Sequence, residues 1–298
     1  MKFMALKKKE TKLMGIGLIY LLPAIIFLGT FMIYPIIKTI YFSFFDVGDG
    51  GIILDFLGLD NYTSLIKSED FRHSLWITLL FVIYTVPAEI IISLLLAVLA
   101  NEKLKGIGFF RTIFSSTLAV SVAAGSIIFL FFYHPSMGTL NNILNVFGIP
   151  GVNWLTDPNW ALLSVAFTSI WMHIGINFII MLAGLQNVPS ELYDSAKIDG
   201  AGFMKQLRSI TIPMISPTIF FLSIIGVINS FESFGQIDIL TSGGPSGATN
   251  VIVYSIYQEA FKFGNFGYAS AQAVTLFLVM LIVTLIQFKF GEKRVHYQ

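Results

Sequence analysis

The chain has 298 residues, 55% of them hydrophobic and only 12% charged, against about 25% charged residues in a soluble domain. Eighteen Lys and Arg against seventeen Asp and Glu leave a formal net charge of +1, which gives no global attraction for nucleic acid. There is no cysteine, so disulfides, thiol catalysis and thiolate metal sites are excluded.

A helix needs roughly 20 apolar residues to cross about 30 Å of hydrocarbon, and six segments qualify. After an N-terminal tail, 1–14, the first span covers 15–45; it is longer than needed and interrupted by Pro23 and Pro35. It reads as retained, because it is too long for a signal peptide and no small-residue cleavage site closes it before Lys38. An outer connection, 46–74, leads into a core, 75–290, with five further spans at about 75–100, 110–133, 160–185, 210–234 and 268–290. A second tail, 291–298, ends the chain. The pattern predicts an all-α membrane protein with six transmembrane helices. Its 29 Phe, 11 Tyr and 4 Trp read first as lipid-facing surface and interfacial belt.

Orientation follows from the basic residues, which stay on the cytoplasmic side. They crowd the N-terminal tail (Lys2, Lys7, Lys8, Lys9, Lys12), the second-to-third connection (Lys103, Lys105, Arg111), the fourth-to-fifth connection (Lys197, Lys205, Arg208) and the end (Lys289, Lys293, Arg294). Only Lys38, Lys67, Arg72 and Lys262 fall on the other side, and 134–160 has neither Lys nor Arg. Both termini are therefore expected in the cytoplasm, in a multi-pass protein of the cytoplasmic membrane. The outer stretches 48–51, 141–153 and 241–250 are rich in Gly and Asn and read as turn-rich caps. No internal repeat of the kind found in many secondary transporters is visible.

The cytoplasmic connection 186–209 is the informative one. Pro189-Ser190 is a helix start, Glu191 and Asp194 suit the positive end of the helix dipole, and Leu192 and Ala196 share a face. Gly200 stands where a helix of two to three turns ends and where a left-handed residue is needed. Phe203, Leu207 and Ile210 then restart a helical stripe into the fifth span. Periodicity alone leaves open an ordinary loop lying on the membrane surface.

At these residues the chain resembles the inner-membrane permease subunits of binding-protein-dependent ABC importers. Their signature is Glu-Ala-Ala, three residues, Gly, nine residues, then Ile-x-Leu-Pro. Here Asp194, Ser195 and Ala196 stand at the first three positions, Gly200 follows, and Ile210, Ile212 and Pro213 close the pattern. Gly58-Leu-Asp-Asn-Tyr62, Glu191-Leu-Tyr193, Ile198-Asp-Gly-Ala201, Leu240-Thr-Ser-Gly-Gly-Pro245 with Thr249, and Gly267-Tyr-Ala-Ser-Ala271 look like the carbohydrate-importing branch, that of maltose and glycerol-phosphate permeases. The resemblance implies the type I importer fold, with the helix from Glu191 to Gly200 docking on an ATP-binding subunit and relaying its closure. It also implies a second permease chain, two nucleotide-binding ATPase subunits that hold ATP and Mg, and an extracytoplasmic solute-binding protein. The substrate would be a carbohydrate, and this chain would bind no cofactor itself.

No Gly-x-x-x-x-Gly-Lys-Ser/Thr loop and no Gly-x-Ser-x-Gly elbow occur, and His73, His134, His173 and His296 show no metal-ligand spacing. No enzyme is expected. The rival reading is an ion-coupled carrier working through Glu89 and Glu232, since ionisable groups within spans are functional candidates. For the pathway, Asn229, Glu232 and Gln236 fall at i, i+3 and i+7, one face of a continuous helix. Either they bond neighbouring helices or they meet sugar hydroxyls, with Trp171 as an apolar platform and Gln272 as a further amide. His173 and Asn177, four apart, form a second polar pair, offset from Trp171. A glycerol-phosphate-type ligand would call for a basic residue in the pathway, and no Lys or Arg stands in the spans expected to line it.

Overall fold

A computed structural model describes residues 20–102 and 104–291, most of them in helices. The basic tails used in the orientation argument, and Lys103, lie outside the described residues. Four helices are long and apolar enough to cross a membrane; two bent helix pairs raise the number to six if each pair is one span. The chain divides into two compact units, one formed up to Leu65 with Glu259–Thr275, the other by Ile66–Gln258 with the residues from Leu276.

In the first unit, α1 (Tyr20–Phe42) runs through both Pro23 and Pro35, so the expected interruptions are absent. The reason at Pro35 is a π-turn at Gly29–Ile33, where the Tyr34 N–H reaches back five residues to the Gly29 carbonyl. One extra residue is wound in just ahead of the ring, which relieves its clash with the preceding turn. Next comes an antiparallel hairpin, β1 (Phe45–Gly48) and β2 (Ile52–Phe56), where the sequence suggested only turns. Helix α2 (Asp60–Lys67) follows. Asn61 Nδ2 donates to the Ser43 and Phe45 carbonyls, both at 3.0 Å, and Tyr62 OH donates to Ser43 Oγ at 2.7 Å. A Cβ on Gly267 would collide with the Phe45 carbonyl oxygen. The motifs Gly58–Tyr62 and Gly267–Ala271 thus converge on the corner at Ser43–Phe45.

The second unit is built on α3 (Glu69–Asn101) and α7 (Pro158–Gln186). Ser68 caps α3 by accepting from the Phe71 N–H at 3.2 Å, and Asp157 caps α7. The cap starts α3 six residues ahead of the apolar run, where hydropathy gives no signal. Along α3 the buried stripe is rich in small and hydroxylated residues, Ser74, Thr78, Thr85, Ser93, Ala97 and Ala100. Thr78, Thr85 and Ser93 donate to the carbonyl four residues back, so these three hydroxyls are satisfied within the helix and α7 packs closely.

The region expected as a straight third span is two helices, α4 (Ile107–Ala119) and α5 (Val122–Phe132), bent by 103°. Ser121 breaks the run by leaving the helical conformation and capping α5, accepting from the Ala124 N–H. Helix α6 (Thr139–Val146) lies in the following connection, tied by Asn141 to Pro135, Val152 and Trp154. After α7 come α8 (Ser190–Ile198), α9 (Phe203–Met214) and α10 (Ser216–Phe231), the last two bent by 69°. Helices α11 (Gly235–Leu240), α12 (Ile252–Tyr257) and the long α13 (Phe266–Gly291) complete the chain.

The second unit has two apolar clusters. One gathers Phe81, Phe129, Val165, Ile237 and Tyr254; the other Ala100, Phe178, Met181, Leu185 and Ile215. Between them on α3, α7 and α10 lie Thr85, Glu89, Ser169, His173, Asn177 and Ser230.

Candidate functional site

None of the nine residues of helix α8 is buried, a property it shares in the second unit with the apolar α4; unlike α4, it is polar and short. Pro189 precedes it and Glu191 sits in its first turn, at the positive end of the dipole. Gly200 has φ +71°. The Gly200 N–H bonds to the Lys197 carbonyl at 3.0 Å and the Ala201 N–H to the Ala196 carbonyl at 2.8 Å, a Schellman closure that satisfies the last carbonyls. Asp194 and Ser195 face solvent, while Ala196 turns partly inward. Asp194 meets Lys197 at 3.5 Å, with side chains 68% and 65% exposed; such a pair adds little.

Sequence reading missed what holds α8 in place. Tyr193 packs at the edge of the second apolar cluster, and its hydroxyl pairs with Thr211 Oγ1 at 3.0 Å. Gln206 Nε2 donates to the Ala201 carbonyl at 2.7 Å. Thr211 closes a π-turn, Leu207–Thr211, in which the Ile212 N–H bonds to Leu207 just ahead of Pro213. Ile210 packs against the same apolar cluster. The second half of the signature therefore forms the elbow from which α8 hangs. A cleft of about 440 Å³ opens behind it, bordered by Asn101, Glu102, Tyr193, Asp194, Lys197 and Gln206. Arg111 is a second residue the sequence did not mark: its Nε and Nη2 donate to the Ala100 carbonyl at 3.0 and 2.8 Å. A cation thus caps the end of α3 beside the cleft.

The expected polar face of the fifth span does not form. Helix α10 ends at Phe231, and Glu232–Phe234 leave the helical conformation before α11 begins. Asn229, Glu232 and Gln236 therefore share no helical face. Glu232 is exposed, Asn229 half-buried, and Gln236 buried, its Nε2 donating to Ser169 Oγ and Ser233 Oγ at 2.9 Å. Gln236 bonds neighbouring segments. Trp171 is half-buried and meets Phe129 in a T-shaped contact, with centroids 5.3 Å apart. Gln272 is buried on α13, in the first unit.

The structure instead assembles a constellation around Glu89, which is 2% exposed. His173 Nδ1 lies 2.8 Å from Glu89 Oε1, and Asn177 Nδ2 donates to Oε2 at 3.2 Å. One turn away, Thr85 Oγ1 and Ser230 Oγ pair at 2.8 Å, linking α3 to α10. His173 and Asn177 thus share the α7 face toward α3, while Trp171 turns to α5. Among the described residues no group of three His, Cys, Asp or Glu could hold a metal ion.

Known proteins share this architecture and sequence. The sn-glycerol-3-phosphate transport system permease protein UgpA of Agrobacterium fabrum is 37% identical over 278 residues, covering 92% of this chain and 94% of that protein. The sulfoquinovosyl glycerol transport system permease protein SmoG of the same organism is 32% identical, over 91% of this chain and 88% of its own. A chain of a bacterial ABC transporter involved in the import of the acidic polysaccharide alginate superposes with a TM-score of 0.81 at 26% identity, covering 96% of this chain and 98% of that one. The family model of the binding-protein-dependent transport system inner membrane component matches residues 67–297. This chain, with its exposed α8 and its apolar spans, belongs to that family.

Proposed function

We propose that this chain is the transmembrane subunit of an ATP-driven importer. It moves a sugar or polyol ligand, delivered by an extracytoplasmic binding protein, across the cytoplasmic membrane by alternating access. The observation that carries this reading is α8: a helix with no buried residue, closed by a glycine turn and hung on Tyr193 outside the bundle. Ile198, 87% exposed at its end, leaves an apolar side chain on the helix that docks. Glu191, Asp194, Ser195, Ala196 and Gly200 form the piece that docks on the ATPase subunit. Ile210 and Pro213 form the elbow that passes its motion to α10. A second permease chain and two nucleotide-binding subunits complete the complex; ATP and Mg belong to the latter. Both termini and α8 lie on the cytoplasmic side, and each bent pair counts as one of six spans.

An ion-coupled carrier has less support. Glu89 is engaged by α7, whereas Glu232 stands exposed beyond the end of α10, so the two carboxylates form no relay. Reconstitution with the partner permease, ATPase subunits and binding protein tests the reading. Uptake into proteoliposomes is expected only with both ATP and binding protein. Uptake driven by an ion gradient without ATP would falsify it.

A further inference from the structure

Glu89 lies 12 residues before the end of α3 and 20 after its start, so at 1.5 Å per residue it is about 18 Å from the nearer end. His173 is 13 residues from the end of α7. Both belong to the middle of the membrane. With Glu89 ionised its oxygen can only accept, and Nδ1 is then the donor of the Glu89–His173 bond. Asn177 takes the second carboxylate oxygen, and α10 comes close enough that a Cβ on Gly226 would stand 3.7 Å from it. The carboxylate is thereby enclosed. The imidazole is not: the His173 side chain is 28% exposed, and its Nε2 has no hydrogen bond among the described residues. A polar ring at that depth avoids lipid and faces either a wet route or another chain. Bonding two helices together needs only the Nδ1 side.

Neither α7 nor α10 contains Lys or Arg, and α3 has none after Arg72. His173 is thus the sole base these three helices offer at mid-membrane. We infer that His173 Nε2 contacts the acidic group (phosphate, sulfonate or carboxylate) of a polyol or sugar ligand passing through the membrane, with Glu89 and Asn177 as positioning residues. Protonated on Nε2, the ring donates to the ligand's acid on one side and to Glu89 on the other, a charge-assisted bridge between two anions. The inference rests on the import function proposed above and names its ligand class.

The test uses the complete complex with its binding protein in proteoliposomes, supplied with acidic probes (sn-glycerol 3-phosphate, glucuronate) and neutral ones (glycerol, glucose, maltose). The wild-type complex is expected to take up an acidic probe. His173→Gln should lower that uptake about tenfold or more, the loss of one charge-assisted bond. The double variant Glu89→Gln with His173→Gln separates ligand contact from helix bridging, because two neutral amides can still bond α3 to α7. Uptake that stays low in an assembled double variant supports the contact. Recovery to the wild-type rate assigns the cluster to helix packing and overturns it, as does a double variant that fails to assemble or a wild-type complex that accepts only neutral probes. Wild-type uptake that needs no ATP overturns the import reading itself, a result distinct from all of these.

Discussion

Glu89 and Asp194 carry the same functional group in opposite surroundings. Glu89 is enclosed, with both oxygens bonded to α7; Asp194 projects from α8 with 68% of its side chain exposed and one long contact to Lys197. Gly175 and Gly200 repeat the contrast without charge. A Cβ on Gly175 would meet Thr117 Oγ1 at 2.5 Å and the Leu118 nitrogen at 2.8 Å, whereas nothing lies within 4 Å of one on Gly200. In the middle of the second unit, neighbours dictate each residue. On α8 the backbone and an external surface do so.

Substitutions sharpen this contrast, beginning with the largest expected effect. Gly175→Val forces a side chain against the backbone of α4, overpacking on the order of 3 kcal/mol; little folded complex is expected on size-exclusion chromatography. A normal yield would mean that α4 can withdraw from α7 freely. His173→Ala leaves the Glu89 carboxylate enclosed without its main partner, at about 3 kcal/mol, measurable as a lowered thermal midpoint of the purified complex. If the midpoint does not move, Glu89 is not held as its geometry indicates. Gly200→Val meets no neighbour and costs only about 1–2 kcal/mol of left-handed strain. Yield should persist while ligand-stimulated ATP hydrolysis falls, and an undisturbed coupling ratio would count against α8 as the docking piece. Asp194→Ala should be mildest, about 0.5 kcal/mol or less; a large loss of assembly would reveal a partner contact that Lys197 does not supply.

The same contrast governs what could be read in the sequence. Helices α7 and α13 follow from uninterrupted apolar runs. Helix α8 was legible because its boundaries are punctuation, Pro189 before and Gly200 after, and punctuation acts locally. The bend between α4 and α5 was not, since residues 115–122 hold no charge, Gly or Pro to stop a span; Ser121, one of four hydroxylated residues there, gave the signal as a cap. The supposed face of Asn229, Glu232 and Gln236 assumed a continuous helix, and three non-helical residues at 232–234 undid it. His173 and Asn177 were visible as a pair and Glu89 as an ionisable group, but 84 residues separate Glu89 from His173. Nothing in the spacing of one helix says which residue of another it meets. Arg111 was legible only as one charge in a basic connection, because the carbonyl it caps belongs to the preceding helix.

The paired π-turns, ahead of Pro35 in α1 and ahead of Pro213 in α9, make chain length a variable of this fold alongside residue identity. Each is a place where the helix holds one residue more than its hydrogen-bonding needs. Deleting a residue within 207–211 would draw that slack out. It would turn everything upstream by about 100° and shift it by about 1.5 Å, while changing no other side chain. Helix α8 would then be re-aimed as if on a dial, with Tyr193 carried out of phase with Thr211. A one-residue deletion there, compensated or not by an insertion in the 199–202 turn, addresses the direction of α8 separately from its chemistry.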